Sequence, residues 1–186
     1  MTSDEVVQRL LEELSASQIP FMVVGSFSSN VYGLLRSTLD VDVVVELEAG
    51  KLNELAHRLE AELQLDPQPG FESVTFTTYY RLHSRTTKFR VELFALSEDE
   101  HDLARWERRV EGHVVGRKAF VPTPEDVIIT KLRWYAIDKR TKDLDDVRNV
   151  IAVQDNRLDW DYIHRWCEIH GSREHLDTIR ESLKRL

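Results

Sequence analysis

The sequence predicts an α/β fold: a mixed β-sheet core flanked by helices over residues 1–121, followed by a helical segment over residues 122–186 that packs on it. Three observations predict it. Amphipathic helices and short β-branched runs alternate through the first half, the pattern of layered α/β domains. Two runs rich in aromatic and β-branched residues then follow one another around a polar turn, which makes the sheet a mixed one. After Pro122 the texture becomes wholly helical.

The elements follow in order. "SDEVVQRLLEELSAS" reads as a helix with Ser3 as N-cap and acids in its first turn; Val6, Val7, Leu10, Leu11 and Leu14 recur at helical spacing. "PFMVVG" is a short apolar strand ended by Gly25, and "SFSSNVYGLLR" is a short helix starting just after that glycine. "LDVDVVVEL" is the clearest strand and "KLNELAHRLEAEL" the next helix. "FESVTFTTYYRLH" and "KFRVELFAL" are strands with their turn around "SRTT", and "RRVEGHVVGRKAFVP" adds two short extended pieces. A soft boundary falls near Phe120 to Thr123. "TPEDVIITKLRWYA" opens a helix with Thr123 as N-cap and Pro124 at the first helical position, and "KDLDDVRNVIAV" continues helical. "DWDYIHRWCEIHG" ends at Gly171 as a C-cap, and "SREHLDTIRESLKRL" is an amphipathic last helix.

Composition narrows the function. A net charge of −8 over 186 residues argues against a surface built to coat nucleic acid, while leaving room for a local basic groove. The clusters "RLHSRTTKFR" and "RWERR" read as solvated faces. A single cysteine, Cys167, excludes an internal disulfide framework and fits a reducing compartment. The start, "MTSDEVVQRL", lacks the apolar stretch of a signal peptide, and no run approaches the roughly 18 apolar residues of a membrane span. The expectation is a cytoplasmic protein with no membrane partner.

The chemistry begins in "LDVDVVVEL". Successive strand side chains alternate faces, so Val41, Val43, Val45 and Leu47 take the core side while Asp40 and Asp42 share the other. Two carboxylates about 7 Å apart repel when partly buried, and either a raised pKa or a divalent cation relieves them. The plainer alternative is a half-exposed strand with a solvated polar face. Ahead of the acids, Gly25-Ser26 sits where a strand becomes a helix, where the backbone can approach a ligand and free N–H groups can bind phosphate. Glu92 stands in an apolar strand, and alternation puts Lys88, Arg90 and Glu92 on one face. That face suits a metal and a polyphosphate; the plainer alternative is a cross-strand ion pair.

Other constellations fail. His164, Cys167 and His170 recur at i, i+3 and i+6 among Trp160, Tyr162 and Trp166, and read as a packed helical face rather than a zinc site. Ser28 and Ser29 have no base near them in sequence, and no P-loop run exists.

The pattern Gly25-Ser26, Gly33, Arg36-x-Thr38-x-Asp40-x-Asp42 resembles the signature of the DNA polymerase β-type nucleotidyltransferase superfamily, nearest its small prokaryotic branch of AbiEii toxin-like nucleotidyltransferases. "VPTPEDVIITKL" and "KDLDDV" are similar to a later segment of the same proteins, so the resemblance runs from about Ile19 to Val153. It implies that Asp40 and Asp42 bind two Mg²⁺ ions, with Glu92 as a third acid where many members carry aspartate. It implies further that Gly25, Ser26, Arg36, Thr38 and Lys131 bind the NTP, with Lys88, Arg90, Asp143 and Asp146 as outlying candidates. The activity implied is metal-dependent transfer of an NMP from an NTP to an acceptor hydroxyl, with release of pyrophosphate. The acceptor is open between a tRNA end, a protein and a small molecule, and the toxin-like branch brings an antitoxin as a possible partner. The rival readings are an inactive nucleotide-binding or toxin–antitoxin module of the same fold, and a metal-dependent nuclease. Lys131 itself has two readings: an ammonium aimed at the triphosphate, or an ion pair with Asp143 or Asp146 on the next helix.

Overall fold

The computed structural model describes residues 1–48 and 50–184; the end of the predicted last helix, residues 185–186, lies outside them. The chain folds as a mixed sheet flanked by helices, as the alternation predicts. The first element is α1 (Ser3–Ala16), followed by β1 (Phe21–Val24), α2 (Gly25–Tyr32), β2 (Asp40–Val45) and α3 (Lys51–Arg58). Next come β3 (Leu63–Leu65), β4 (Gly70–Glu72), β5 (Thr77–Ser84), β6 (Arg90–Ala95) and α4 (Glu100–Glu107). A hairpin of β7 (Val110–Val114) and β8 (Arg117–Val121) leads to α5 (Pro124–Asp138), α6 (Thr141–Gln154), α7 (Trp160–Ile169) and α8 (Arg173–Leu183).

The sheet runs β1-β2-β6-β5-β3, with β4 also on β5; β2 and β6 are parallel and the other pairs antiparallel. One face is apolar. Val41, Val43 and Val45 of β2, with Val91 and Leu93 of β6, are fully buried against α1 and α3. Leu47 lies past the end of β2 and packs on the same core. A second apolar cluster joins α5 to α8, and Tyr32 of α2 packs on both.

The structure differs from the sequence reading in several places. Thr2, not Ser3, caps α1, because its hydroxyl accepts from Glu5 N–H while the Glu5 carboxylate accepts from Thr2 N–H. Helix α2 begins at Gly25 itself. Helix α3 stops at Arg58, and the leucines beyond it turn into β3 to pair with β5. "FESVTFTTYYRLH" is two strands: Glu72 accepts from the N–H groups of Val74 and Thr75, which closes a turn between β4 and β5. Helix α4, which the sequence reading leaves unassigned, is capped by Asp99 and lays Trp106 over Met22, Val24 and Val44. The polar face of β2 is therefore covered beyond Asp42 rather than solvated along its length.

Candidate functional site

A cleft of about 390 Å³ opens on the sheet face opposite the main core, between the strands, α4 and α5. Its floor is set by strand register. Val24 at the end of β1 pairs with Asp42, and Asp42 pairs with Glu92 across the parallel β2–β6 ladder. Asp40, Asp42 and Glu92 all line the cleft, as do Gly25, Ser26 and Lys131.

Gly25 is at φ +62°, and a Cβ there would stand 2.0 Å from Asp42 Oδ2. The strand-to-helix turn can pass over the carboxylate only as glycine. The hydroxyls of Ser28 and Ser29 donate back to the Gly25 carbonyl at 2.9 and 3.1 Å, which holds the turn from inside α2. No side chain caps α2, so its first-turn N–H groups have no capping partner above the acids.

Asp42 carries the strain of this crowding. Loss of solvent first, then the charges of Asp40 and Glu92, push its carboxyl up to about 7, against the pull of Lys131 and Lys142. Its neighbours are held by protein groups. Thr38 donates its hydroxyl to Asp40 Oδ1 at 2.7 Å, and Arg90 Nη2 lies 3.5 Å from Asp40 Oδ2. Glu92 accepts from Arg81 Nε at 2.8 Å, the cross-strand ion pair that was the plainer expectation for this residue. Accordingly, among the described residues no three such side chains converge as a preformed metal site. The donor set nevertheless fits a hard divalent cation. It is all carboxylate oxygen on adjoining strands, and a cation would offset the repulsion that raises Asp42.

Behind the cleft runs a buried charge network. Asp146 accepts from Arg36 Nε and Nη2 at 2.6 and 2.8 Å, and Arg36 Nη2 also donates to Ser26 Oγ at 2.7 Å. Lys131 Nζ lies 2.9 Å from Asp146 Oδ2 and 3.0 Å from Asp143 Oδ1, and Arg140 Nε bonds Asp143 Oδ2 at 3.0 Å. Burial alone would raise the Asp146 carboxyl, but Arg36 and Lys131 bring it below its ordinary value. The cleft thus has Lys131 and Asp143 on its wall, while Arg36, Thr38 and Asp146 act from behind it.

Arg90 and Glu92 share a strand face as predicted, opposite Asp40 and Asp42, but two of the outlying candidates do not line the cleft. Lys88 precedes β6 in an exposed bend and is absent from the cleft, because the strand begins only at Arg90. Arg90 reaches Asp40 but does not line the cleft. His164, Cys167 and His170 are a packed face, as expected: Cys167 is fully buried, and the His170 ring lies against Trp166 and His101. The sequence reading missed Arg81, Tyr79 and Phe94. Arg81 was visible in its basic cluster, but its partner emerges only from the β5–β6 register.

No protein-family model matches the chain, and no curated protein matches it. Solved structures do. ANT(2″)-Ia in complex with adenylyl-2″-tobramycin superposes with a TM-score of 0.65 at 13% identity, over 94% of this chain and 99% of that one. An antigenic nucleotidyltransferase-like protein from Paracoccidioides brasiliensis gives 0.55 at 16% identity, over 95% and 91%. The lincosamide antibiotic adenylyltransferase LnuA, lincomycin-bound, gives 0.54 at 12% identity, over 80% and 96%. At these identities the likeness is one of fold: the chain has the nucleotidyltransferase fold.

Proposed function

We propose that this protein is a nucleotidyltransferase that moves an NMP from an NTP to a hydroxyl of a small-molecule acceptor and releases pyrophosphate. The observation that carries the reading is the contact of Gly25 with Asp42 beneath the uncapped start of α2. That contact sets a phosphate-binding turn directly on a carboxylate whose charge is held back. A nucleotide-binding turn alone, or an acid pair alone, would not need this fit.

The first-turn N–H groups of α2 bind the triphosphate, helped by the positive end of the helix dipole. Arg36, clamped by Asp146, holds the Ser26 hydroxyl in that corner. Lys131, paired with the same Asp146 that clamps Arg36, adds positive potential beside that corner. Asp40, Asp42 and Glu92 would hold Mg²⁺, which when bound supplies charge neutralisation and acidifies the acceptor hydroxyl. Until then Asp42 shares a proton near neutrality, and Arg81 and Arg90 balance its two neighbours. The acceptor oxygen bonds to the α-phosphorus as the bond to the bridging β-phosphate oxygen breaks, in line; pyrophosphate departs with that oxygen, the hydroxyl proton passes to water, and no covalent intermediate forms on the protein. Catalysis then rests on positioning and electrostatics.

Of a tRNA end, a protein and a small molecule, the small molecule suits a cleft of about 390 Å³. The net charge of −8 argues against a tRNA end. The tobramycin and lincomycin named with the solved neighbours point the same way. The test is incubation with labelled NTPs, Mg²⁺ and small-molecule and macromolecular fractions of a cell extract. Label in the small-molecule fraction, with equimolar pyrophosphate, is expected; pyrophosphate-free label or none overturns the reading.

A further inference from the structure

Past Glu92 the cleft floor changes from acids to aromatic rings. Arg81 stands opposite Glu92 and Tyr79 opposite Phe94 in the β5–β6 ladder, and Tyr79 and Phe94 both line the cleft. Phe94 follows Glu92 by two residues on the same face, about 7 Å along the strand. The two rings stack with centroids 5.1 Å apart and planes 29° from parallel. Gly70 of β4 lies against Tyr79, and a Cβ there would come within 2.1 Å of the ring carbon Cζ. Arg81 fixes the edge: its guanidinium lies 4.8 Å from the Tyr79 ring centroid, Nη2 donates to the Tyr79 hydroxyl, and Nε donates to Glu92. The result is a half-buried aromatic shelf, held on three sides and tied to the third acid.

The sheet order says what the shelf faces. Gly25 follows β1, Asp42 is on β2, Glu92 on β6 and Tyr79 on β5, so these residues cross the floor in that sequence. In an in-line displacement the incoming oxygen and the departing pyrophosphate lie on opposite sides of the phosphorus. With the triphosphate at Gly25 and Ser26, the acceptor enters from the β6–β5 side. The ribose hangs from the phosphorus laterally, off that line.

We infer that the Tyr79–Phe94 shelf is the acceptor subsite, and that it takes a glycoside whose sugar or aryl ring lays an apolar face on the rings while a hydroxyl reaches back to Glu92. The inference rests on the transfer reading above. A ring about 5 to 7 Å across matches the step from the shelf to the acid.

The probe is phenyl β-D-glucopyranoside, added at millimolar concentration to the full chain with Mg²⁺ and a nonhydrolysable ATP analogue. Binding is read by saturation-transfer NMR. Ring protons of the probe are expected to receive saturation, with affinity falling at least tenfold in Tyr79→Ala and in Gly70→Ala, whose new methyl displaces the ring. Tyr79→Phe keeps the ring and is expected to retain binding. Calorimetry with the ATP analogue is expected to give the same affinity in all three variants, each checked for its thermal melt. No saturation in the natural protein, or equal probe affinity in Tyr79→Ala and Gly70→Ala, overturns the proposal. A loss of nucleotide affinity in Tyr79→Ala also overturns it, since the shelf then holds the base. Because the probe needs only to bind, this result stands apart from the labelling experiment, where failure to release pyrophosphate would sink the transfer reading instead.

Discussion

Gly25 and Asp42 compete for one space: a methyl group on the glycine would stand 2.0 Å from the aspartate's Oδ2. The glycine's φ of +62° adds a second constraint, because a side chain strains that conformation even where space exists. Gly25→Ala should therefore displace the turn or the carboxylate. The expected outcome is loss of pyrophosphate release with a stability loss of about 1–3 kcal/mol by thermal melting. An active, equally stable variant would mean that the turn does not bear on the chemistry.

Asp42 makes a pH prediction of definite sign. Its folded carboxyl titrates near 7, far above the ordinary 3.8, so the folded state holds a proton that the unfolded state has released. That difference destabilises the metal-free protein progressively as pH rises from about 4 to about 7, with a limiting slope of about 1.4 kcal/mol per pH unit. His101 and His170 act in the opposite direction over part of this range, because burial lowers both, His170 to about 4, and their contribution is lost as pH falls below 6.5. The difference between the natural protein and Asp42→Asn isolates the carboxyl. In EDTA, Asp42→Asn should gain relative stability between pH 5 and pH 8, and should show no Mg²⁺-dependent transfer. A pH-independent difference in melting temperature would remove Asp42 from the buried, charge-strained role.

Glu92 is paired with Arg81 at a partly exposed site, so its contribution to stability is small, about 0–1 kcal/mol. Glu92→Gln should leave the melt nearly unchanged while weakening Mg²⁺-dependent pyrophosphate release by at least tenfold, and Glu92→Asp should keep part of the activity. Full activity in Glu92→Ala would assign the third carboxylate elsewhere, with Glu46 just past β2 as the next to test.

Much of this arrangement was legible in the sequence because it is local. Alternation put Asp40 and Asp42 on the face opposite Val41, Val43 and Val45, and Thr123 with Pro124 marked the start of α5. What was not legible depends on register and long-range pairing. Nothing in "RLHSRTTKFR" says that Arg81 meets Glu92; that follows from where the β5–β6 turn closes. Nor does the sequence around Gly70 say that β4 brings it against Tyr79. Helix α4 was obscured because "RWERR" reads as a solvated face, whereas its first residue, Arg105, is buried and pairs with Asp102 at 2.9 Å. Local charge spacing does not reveal burial.

Lys131 shows how a pairing changes the meaning of a mutation. From sequence, an ammonium aimed at phosphate and an ammonium in an ion pair looked like alternatives separable by stability. The structure joins them: Lys131 lines the cleft wall and also lies between Asp143 and Asp146, both almost fully buried. Lys131→Met therefore leaves Asp143 with Arg140 alone and Asp146 with Arg36 alone, and should cost about 3–5 kcal/mol whether or not the lysine meets nucleotide. Stability no longer discriminates; nucleotide affinity does. Combining Lys131→Met with Asp143→Asn removes one buried charge along with its partner and should restore most of the lost stability, since paired groups in contact do not contribute additively. If the ammonium also serves the triphosphate, affinity for the nonhydrolysable ATP analogue stays at least tenfold down in that rescued double variant, because a charge-assisted phosphate contact is worth about 1.5–3 kcal/mol. Recovery of affinity together with stability would make Lys131 a structural cation that only borders the cleft.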